Sequence, residues 1–133
     1  MSNANVTLIQ GLYAAFGRGD IATIVAGLTP DVHWQVNGRR TDFPAMGVWK
    51  GTAEVQKFFQ LVGEHEAFSE FTPQEFYAVD DKVFVQGHYA GTIRKTGRKL
   101  DSDWLHVFAV KGGKVTSFKE FTDTAQFAEG FRD

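Results

Sequence analysis

Cysteine is absent from the 133 residues, so disulfides, thiolate metal sites and a cysteine nucleophile are excluded. Long apolar runs are lacking too. None approaches the roughly 20 residues that span a bilayer, and no charged segment followed by an apolar one opens the chain, so neither a membrane span nor a signal peptide is expected. Charge of one sign is scarce: 14 Lys and Arg stand against 16 Asp and Glu, for a formal net charge of -2. No broad basic surface invites nucleic acid. No glycine-rich phosphate-binding motif is present, so no nucleotide cofactor is expected. These absences leave a cytoplasmic single domain over residues 1–133, without cofactor or metal, large enough to bury a real core.

What the chain has in quantity is aromatic surface: 13 Phe, three Trp and three Tyr. That suits an aromatic-lined cavity, a dimer interface, or both. Val6, Ile9, Tyr13 and Phe16 have helical spacing within Asn5 to Phe16, and Gly17 and Gly19 end that helix. Asp20 caps a second short helix with Ile24 and Leu28 in its stripe, and Pro30 stops it. Asp31 to Val36 alternates as a strand. Arg39 to Gly51 is irregular but carries Phe43, Met46, Val48 and Trp49, too apolar for a solvated loop, and reads as a lid. A third helix, capped by Thr52, runs to about Gly63 with Val55, Phe58, Phe59 and Val62 in one stripe. The rest is β: Phe71 to Val79, Lys82 to Arg94, and two further strands. A short closing helix follows, capped by Asp123 and anchored by Phe127 and Phe131. The order α-α-β-α-β-β-β-β plus that helix argues an α+β fold, a curved and mostly antiparallel sheet closing like a cone over its helices.

The stretch Lys99 to Phe127 organises the chain. Its first strand is apolar on both faces: Trp104, His106, Phe108 and Val110 on one, Leu105, Val107 and Ala109 on the other. One face is expected to line a pocket and the other to meet a second layer or a second subunit. The turn at Gly112-Gly113 sets the register. A two-residue turn pairs Val110 with Val115 and puts His106 opposite Lys119. A three-residue loop, Lys111-Gly112-Gly113 with a bulge, groups His106 with Phe118 and Glu120. The second is expected, because it keeps Lys119 away from His106.

Several short motifs recur in order: Tyr13-Ala14-Ala15-Phe16 with Arg18-Gly19-Asp20, then Asp31-Val32-His33-Trp34, Gly47-Val48-Trp49-Lys50-Gly51, Trp104-Leu105-His106, Gly113-Lys114-Val115 and Phe121-Thr122-Asp123. In that order and spacing the chain resembles the ketosteroid isomerase-like and SnoaL-like superfamily, which includes nuclear transport factor two and scytalone dehydratase. It looks most like the uncharacterised ketosteroid isomerase-related branch. The resemblance implies a cone-shaped α+β barrel with a hydrophobic pocket, usually dimeric through the sheet. It fixes no reaction, because the fold hosts isomerases, cyclases, dehydratases, hydrolases and binding modules. The carboxylate base that ketosteroid isomerases place at the end of the first strand is missing here, where Gln35-Val36-Asn37 stands. Tyr13 lies one residue out of register from their helix-one tyrosine, and His106 occupies the position of their strand-four aspartate.

His106 with Glu120 is the leading catalytic pair, since a carboxylate fixes the tautomer of an imidazole and makes it a usable acid or base near neutrality. His88 is expected on the same inward face, as a third catalytic group or a polar contact to a developing oxyanion. Tyr13, Trp34, Trp49, Phe59, Trp104, Phe108 and Phe118 are the expected ligand-binding residues, with Trp49 in the lid. Asp42 is a candidate replacement for the missing base. Asp103 is expected to point away from the pocket, and His33 and His65 to lie at the surface. Two readings stay open: cofactor-free acid/base chemistry on an apolar carbonyl compound, or a non-catalytic module that binds a hydrophobic ligand or dimerises.

Overall fold

The computed structural model describes residues 3–133. Two helices come first, α1 (Ala4–Gly17) and α2 (Ile21–Ala26), followed by strands β1 (Leu28–Val36) and β2 (Gly47–Lys50) and helix α3 (Gly51–His65). Four strands, β3 (Glu66–Val79), β4 (Lys82–Ile93), β5 (Lys99–Lys111) and β6 (Lys114–Thr122), lead to the closing helix α4 (Thr124–Phe131). The fold is α+β, as its sequence order implies. The six strands form one curved, open sheet in the order β2-β1-β6-β5-β4-β3. β1 runs parallel to β6; every other neighbouring pair is antiparallel.

The helices start where side chains satisfy their free N–H groups. The Asn3 side chain accepts from Asn5 and Val6, Asp20 from Thr23, and Asp123 from Gln126. α3 differs from expectation. It begins at Gly51, whose φ of +80° turns the chain directly out of β2, and the Glu54 carboxylate, not Thr52, reaches back to the Lys50 N–H at 2.7 Å. β2 itself is a correction to the sequence order: Gly47–Lys50 pairs with β1 as an edge strand. Four residues are too short for alternation to declare a strand. β1 also begins earlier than expected, and Pro30 lies inside it rather than before it.

Two glycines produce the curvature. Gly87 and Gly91 lie on the inner face of β4, opposite Pro73 and Phe68, where β3 breaks register between Pro73 and Glu75 and between Phe68 and Glu70. A Cβ on Gly91 would stand 2.1 Å from the Ala67 carbonyl oxygen, and one on Gly87 would stand 2.2 Å from the Trp104 ring. The two bulges and the two missing side chains bend β3 and β4 sharply. The concave side packs on Ile9, Leu12 and Ala15 of α1 and on Val55 and Phe58 of α3.

The apolar segment between β1 and β2 folds inward as expected. Phe43, Ala45 and Met46 are buried there. Phe43 packs on Phe127 and Phe131 of α4, with ring centroids 5.0 and 5.5 Å apart. Trp49 fixes this segment from the side. Its indole N–H donates to the Ala45 carbonyl at 3.0 Å, and the Arg40 guanidinium lies 3.8 Å over its ring.

Candidate active site

His106 faces inward because β5 alternates strictly: Leu100, Ser102, Trp104, His106, Phe108 and Val110 are buried, and the residues between them are not. Its partner arrives by a route the turn did not reveal. Gly112 and Gly113 both have positive φ, 59° and 77°, and form a two-residue turn in which Lys111 faces Lys114 and Val110 faces Val115. The extra residue lies further along, in β6. Ala109 pairs with Ser117, so Thr116 is bulged out, and His106 then faces Glu120 while Phe108 faces Phe118. The pairing expected from sequence is present; the three-residue loop offered as its cause is not.

The geometry of the pair is tight. His106 is 3% exposed, and its Nε2 lies 2.7 Å from Glu120 Oε1. Its Nδ1 lies 2.6 Å from the Tyr13 hydroxyl. In the neutral ring Nε2–H donates to the carboxylate, which leaves Nδ1 to accept from the Tyr13 O–H. In the charged ring Nδ1–H donates to the Tyr13 oxygen, and the phenol proton turns toward the cavity. The imidazole is clamped by aromatic rings: Trp104 stacks on it at 3.9 Å, and Phe118 meets it edge-on at 4.7 Å. Trp104 reaches that position because Gly87 leaves room for its ring. The second Glu120 oxygen accepts from the Tyr89 hydroxyl at 3.3 Å, and Tyr89 also bonds Thr122 at 2.6 Å. Burial, and then the Glu120 charge, hold the Tyr13 and Tyr89 phenols well above their ordinary range. Both remain protonated hydroxyls near neutrality.

These groups face a cavity of about 90 Å³ between the helices and the concave sheet. Of the residues expected to bind ligand, Tyr13, Trp34, Phe59, Phe108 and Phe118 line it. Trp34 stacks on Phe118 with centroids 4.0 Å apart. Trp104 stands behind His106 and supports the ring rather than the cavity wall. Trp49 lies outside the wall, and the lid residues that do line the cavity are Phe43, Ala45 and Met46. Asp42 is held by Arg39 at 3.0 Å and does not line the cavity either.

His88 is the main correction. It points to the convex face, where Nδ1 lies 2.8 Å from Asp103 and Nε2 lies 2.8 Å from Asp101. The hydrogen bond that its Nδ1–H donates to Asp103 raises its pKa above the ordinary histidine value. The inward residues of β4 are instead Val83, Val85, Gly87 and Tyr89. The signal was available, since Val83, Val85 and Tyr89 form the more apolar of the two alternating sets. His88 therefore takes no part in the His106 site, whereas Asp103 does point outward, as expected.

Two functional candidates, Tyr89 and Glu66, emerge only from the structure. Glu66 is the first residue of β3, is 8% exposed and lines the cavity. Burial, and then the Glu120 charge, push its carboxyl well above the ordinary value. No local pattern announces it. A glutamate at the end of a polar helix reads as solvated, and only the junction with β3 turns it inward.

An α+β protein with helices on the concave side of a bent sheet, and a tyrosine–histidine–glutamate chain facing an aromatic cavity, defines the class. The SnoaL-like domain family model matches residues 9–118, and the chain belongs to that family. An NTF2-like protein from Burkholderia xenovorans is 30% identical, with 99% of this chain and 98% of that one covered and a TM-score of 0.89. TerC, co-crystallized with polyporic acid, is 28% identical over 96% of this chain and 98% of its own, with a TM-score of 0.85. An uncharacterized protein of Mycobacterium tuberculosis is 26% identical over 134 residues, 97% of this chain and 96% of its own. Among the described residues no helix is long and apolar enough to cross a membrane.

Proposed function

We propose that the protein is an acid/base enzyme of the isomerase, cyclase or dehydratase type, acting on an apolar carbonyl compound held in the aromatic cavity. The observation that carries this reading is the unbroken chain from Tyr13 through His106 to Glu120, with links of 2.6 and 2.7 Å. A proton leaves the carbon beside the substrate carbonyl and goes to the Tyr13 oxygen, while the Tyr13 proton passes to His106 Nδ1. The C–H electrons become a C=C bond, and the carbonyl π electrons move to oxygen as an enolate. Glu120 offsets the imidazolium so formed. Return of the proton along the same chain, to another carbon or to oxygen, completes an isomerisation or opens the way to loss of a leaving group. The co-crystallization of TerC with polyporic acid supports a small organic occupant in this fold.

The test is hydrogen–deuterium exchange. A flat aromatic ketone such as β-tetralone is incubated with protein in heavy water, and loss of its α-proton signals is followed by NMR. The wild type accelerates the loss; His106→Gln and Tyr13→Phe, with circular dichroism unchanged, do not. Binding of the ketone by wild type with no exchange above buffer would refute the enzyme reading. A non-catalytic hydrophobic-ligand module would then stand, a reading favoured by Val36, an apolar cavity residue at the strand end where the resembling isomerases carry their base.

The convex face bears Leu105 and Phe121, 37% and 38% exposed and paired across β5 and β6. We assign this face to a homodimer contact. Sedimentation of the wild type is expected at twice the mass of the Leu105→Lys variant, and a monomeric wild type would refute the assignment.

A further inference from the structure

We infer that Glu66 is the second polar anchor of the cavity, which makes the natural ligand a compound with two separated oxygen functions, one at the Tyr13 end and one at Glu66. The inference rests on the small-molecule reading above and adds to it which ligands fit. The cavity wall is otherwise aromatic and aliphatic, with Phe43, Met46, Phe68 and Phe71 among its members. Tyr13 and Glu120 are engaged with His106, and Tyr89 with Glu120 and Thr122; the indole N–H of Trp34, also a wall residue, is buried without a partner and can only donate. Glu66 is the one carboxyl group on the wall with neither hydrogen-bond nor ion-pair partner among the described residues, and burial and the Glu120 charge are the influences on it.

A buried polar group is normally hydrogen-bonded, and one left unpaired costs stability. A partner that arrives with the ligand removes that cost, so an unpaired buried group on a cavity wall acts as a selector. Glu120 already places one carboxylate in this cavity, hydrogen-bonded to His106. A second carboxylate beside it is disfavoured, and Glu66 is held as a neutral carboxylic acid. In that form it donates O–H to a carbonyl or hydroxyl oxygen and accepts a hydroxyl proton through its C=O. It suits a keto or hydroxy group at the end of the ligand remote from the reacting carbonyl, and offers nothing to a ligand with one oxygen.

The test uses phenol, with one oxygen, and the dihydroxybenzenes resorcinol and hydroquinone, as minimal mimics of an enol. Affinities are measured by NMR titration of wild type, Glu66→Leu and Glu66→Gln. The wild type is expected to bind the better dihydroxybenzene about tenfold more tightly than phenol, the increment of one well-placed buried hydrogen bond. Glu66→Leu brings the two within about threefold without weakening phenol, and Glu66→Gln, which keeps a donor and an acceptor, restores most of the difference. A preference for two oxygens that survives in Glu66→Leu overturns the inference and leaves the pocket reading intact. Failure of the wild type to bind any of the three overturns both.

Discussion

Replacing Glu66 by glutamine should change how stability depends on pH, and the sign follows from burial. In the native protein the carboxyl is shifted well above its ordinary value of 4.5 by burial and by the Glu120 charge. Above about pH 4.5 the unfolded chain has therefore lost this proton while the native state keeps it. Unfolding releases a proton, and stability falls as pH rises until the native carboxyl itself titrates. The slope can reach about 1.4 kcal/mol per pH unit for one group. Glu66→Gln keeps the shape and removes the titrating proton, so its stability relative to wild type should rise by up to that amount per unit as pH climbs above about 4.5, until the native carboxyl itself titrates. Other shifted groups cancel in the difference. His88, raised above 6.5, contributes stability below its unfolded value that fades as pH rises through its folded one. Asp20, lowered from 3.8, contributes above that value and loses it as pH falls. Both groups are present in both proteins. Tyr13 and Tyr89, raised from 10.0, act only in alkali. The assay is urea unfolding followed by tryptophan fluorescence at several pH values. Parallel curves for the two proteins would show that Glu66 ionises alike in native and unfolded chains, and the buried neutral carboxyl would have to be abandoned.

Gly87→Ala should destabilise by about 2 kcal/mol or more, because the new methyl meets both the Trp104 ring and, at 2.7 Å, the Thr72 carbonyl oxygen. Urea midpoints check the loss, and displaced His106 ring resonances check that the damage reaches the site. Asp123→Ala removes the cap of α4 and should cost about 1 kcal/mol, with Asn restoring most of it; an unchanged midpoint for Asp123→Ala would show that the cap contributes nothing. NMR titration of His88 should give a midpoint above 6.5 that falls in Asp103→Asn. A midpoint indifferent to that substitution would mean that the outer-face pair is absent in solution.

The α+β class, the caps at Asp20 and Asp123 and the alternation of β1, β4 and β5 were legible because each follows from a local rule. Ladder phase was not. Alternation shows that His88 and Tyr89 face opposite ways, but which of them faces inward depends on the neighbouring strands. Val83, Val85 and Tyr89 win because they have core to fill, while His88 finds Asp101 and Asp103 outside. β2 is illegible because four residues carry too little pattern, and the apolar surroundings of Trp49 suit a cavity wall although its indole N–H is engaged by the Ala45 carbonyl. Glu66 was illegible for a different reason. Its burial is a property of the α3–β3 junction, and nothing within a few residues of it distinguishes it from a surface glutamate.

The His106–Glu120 pair shows how a correct site follows from an incorrect turn. Val115 is fully buried, so near the turn β6 must present its odd-numbered residues inward. Carried onward without interruption, that phase would drive Lys119 and Phe121 into the core and leave Phe118 and Glu120 outside. A lysine amine driven into that aromatic core would have to shed its water, and burying it there costs far more than burying Phe118. The strand must therefore change phase between Val115 and Phe118, and a bulge at Thr116, with its hydroxyl bonded to the Ala109 carbonyl at 3.3 Å, makes the change. The same shift can be placed in the turn or in the strand with identical consequences downstream. The exclusion of Lys119 constrains only the sum of the two, so the sequence determined which side chains meet His106 without determining where the extra residue goes.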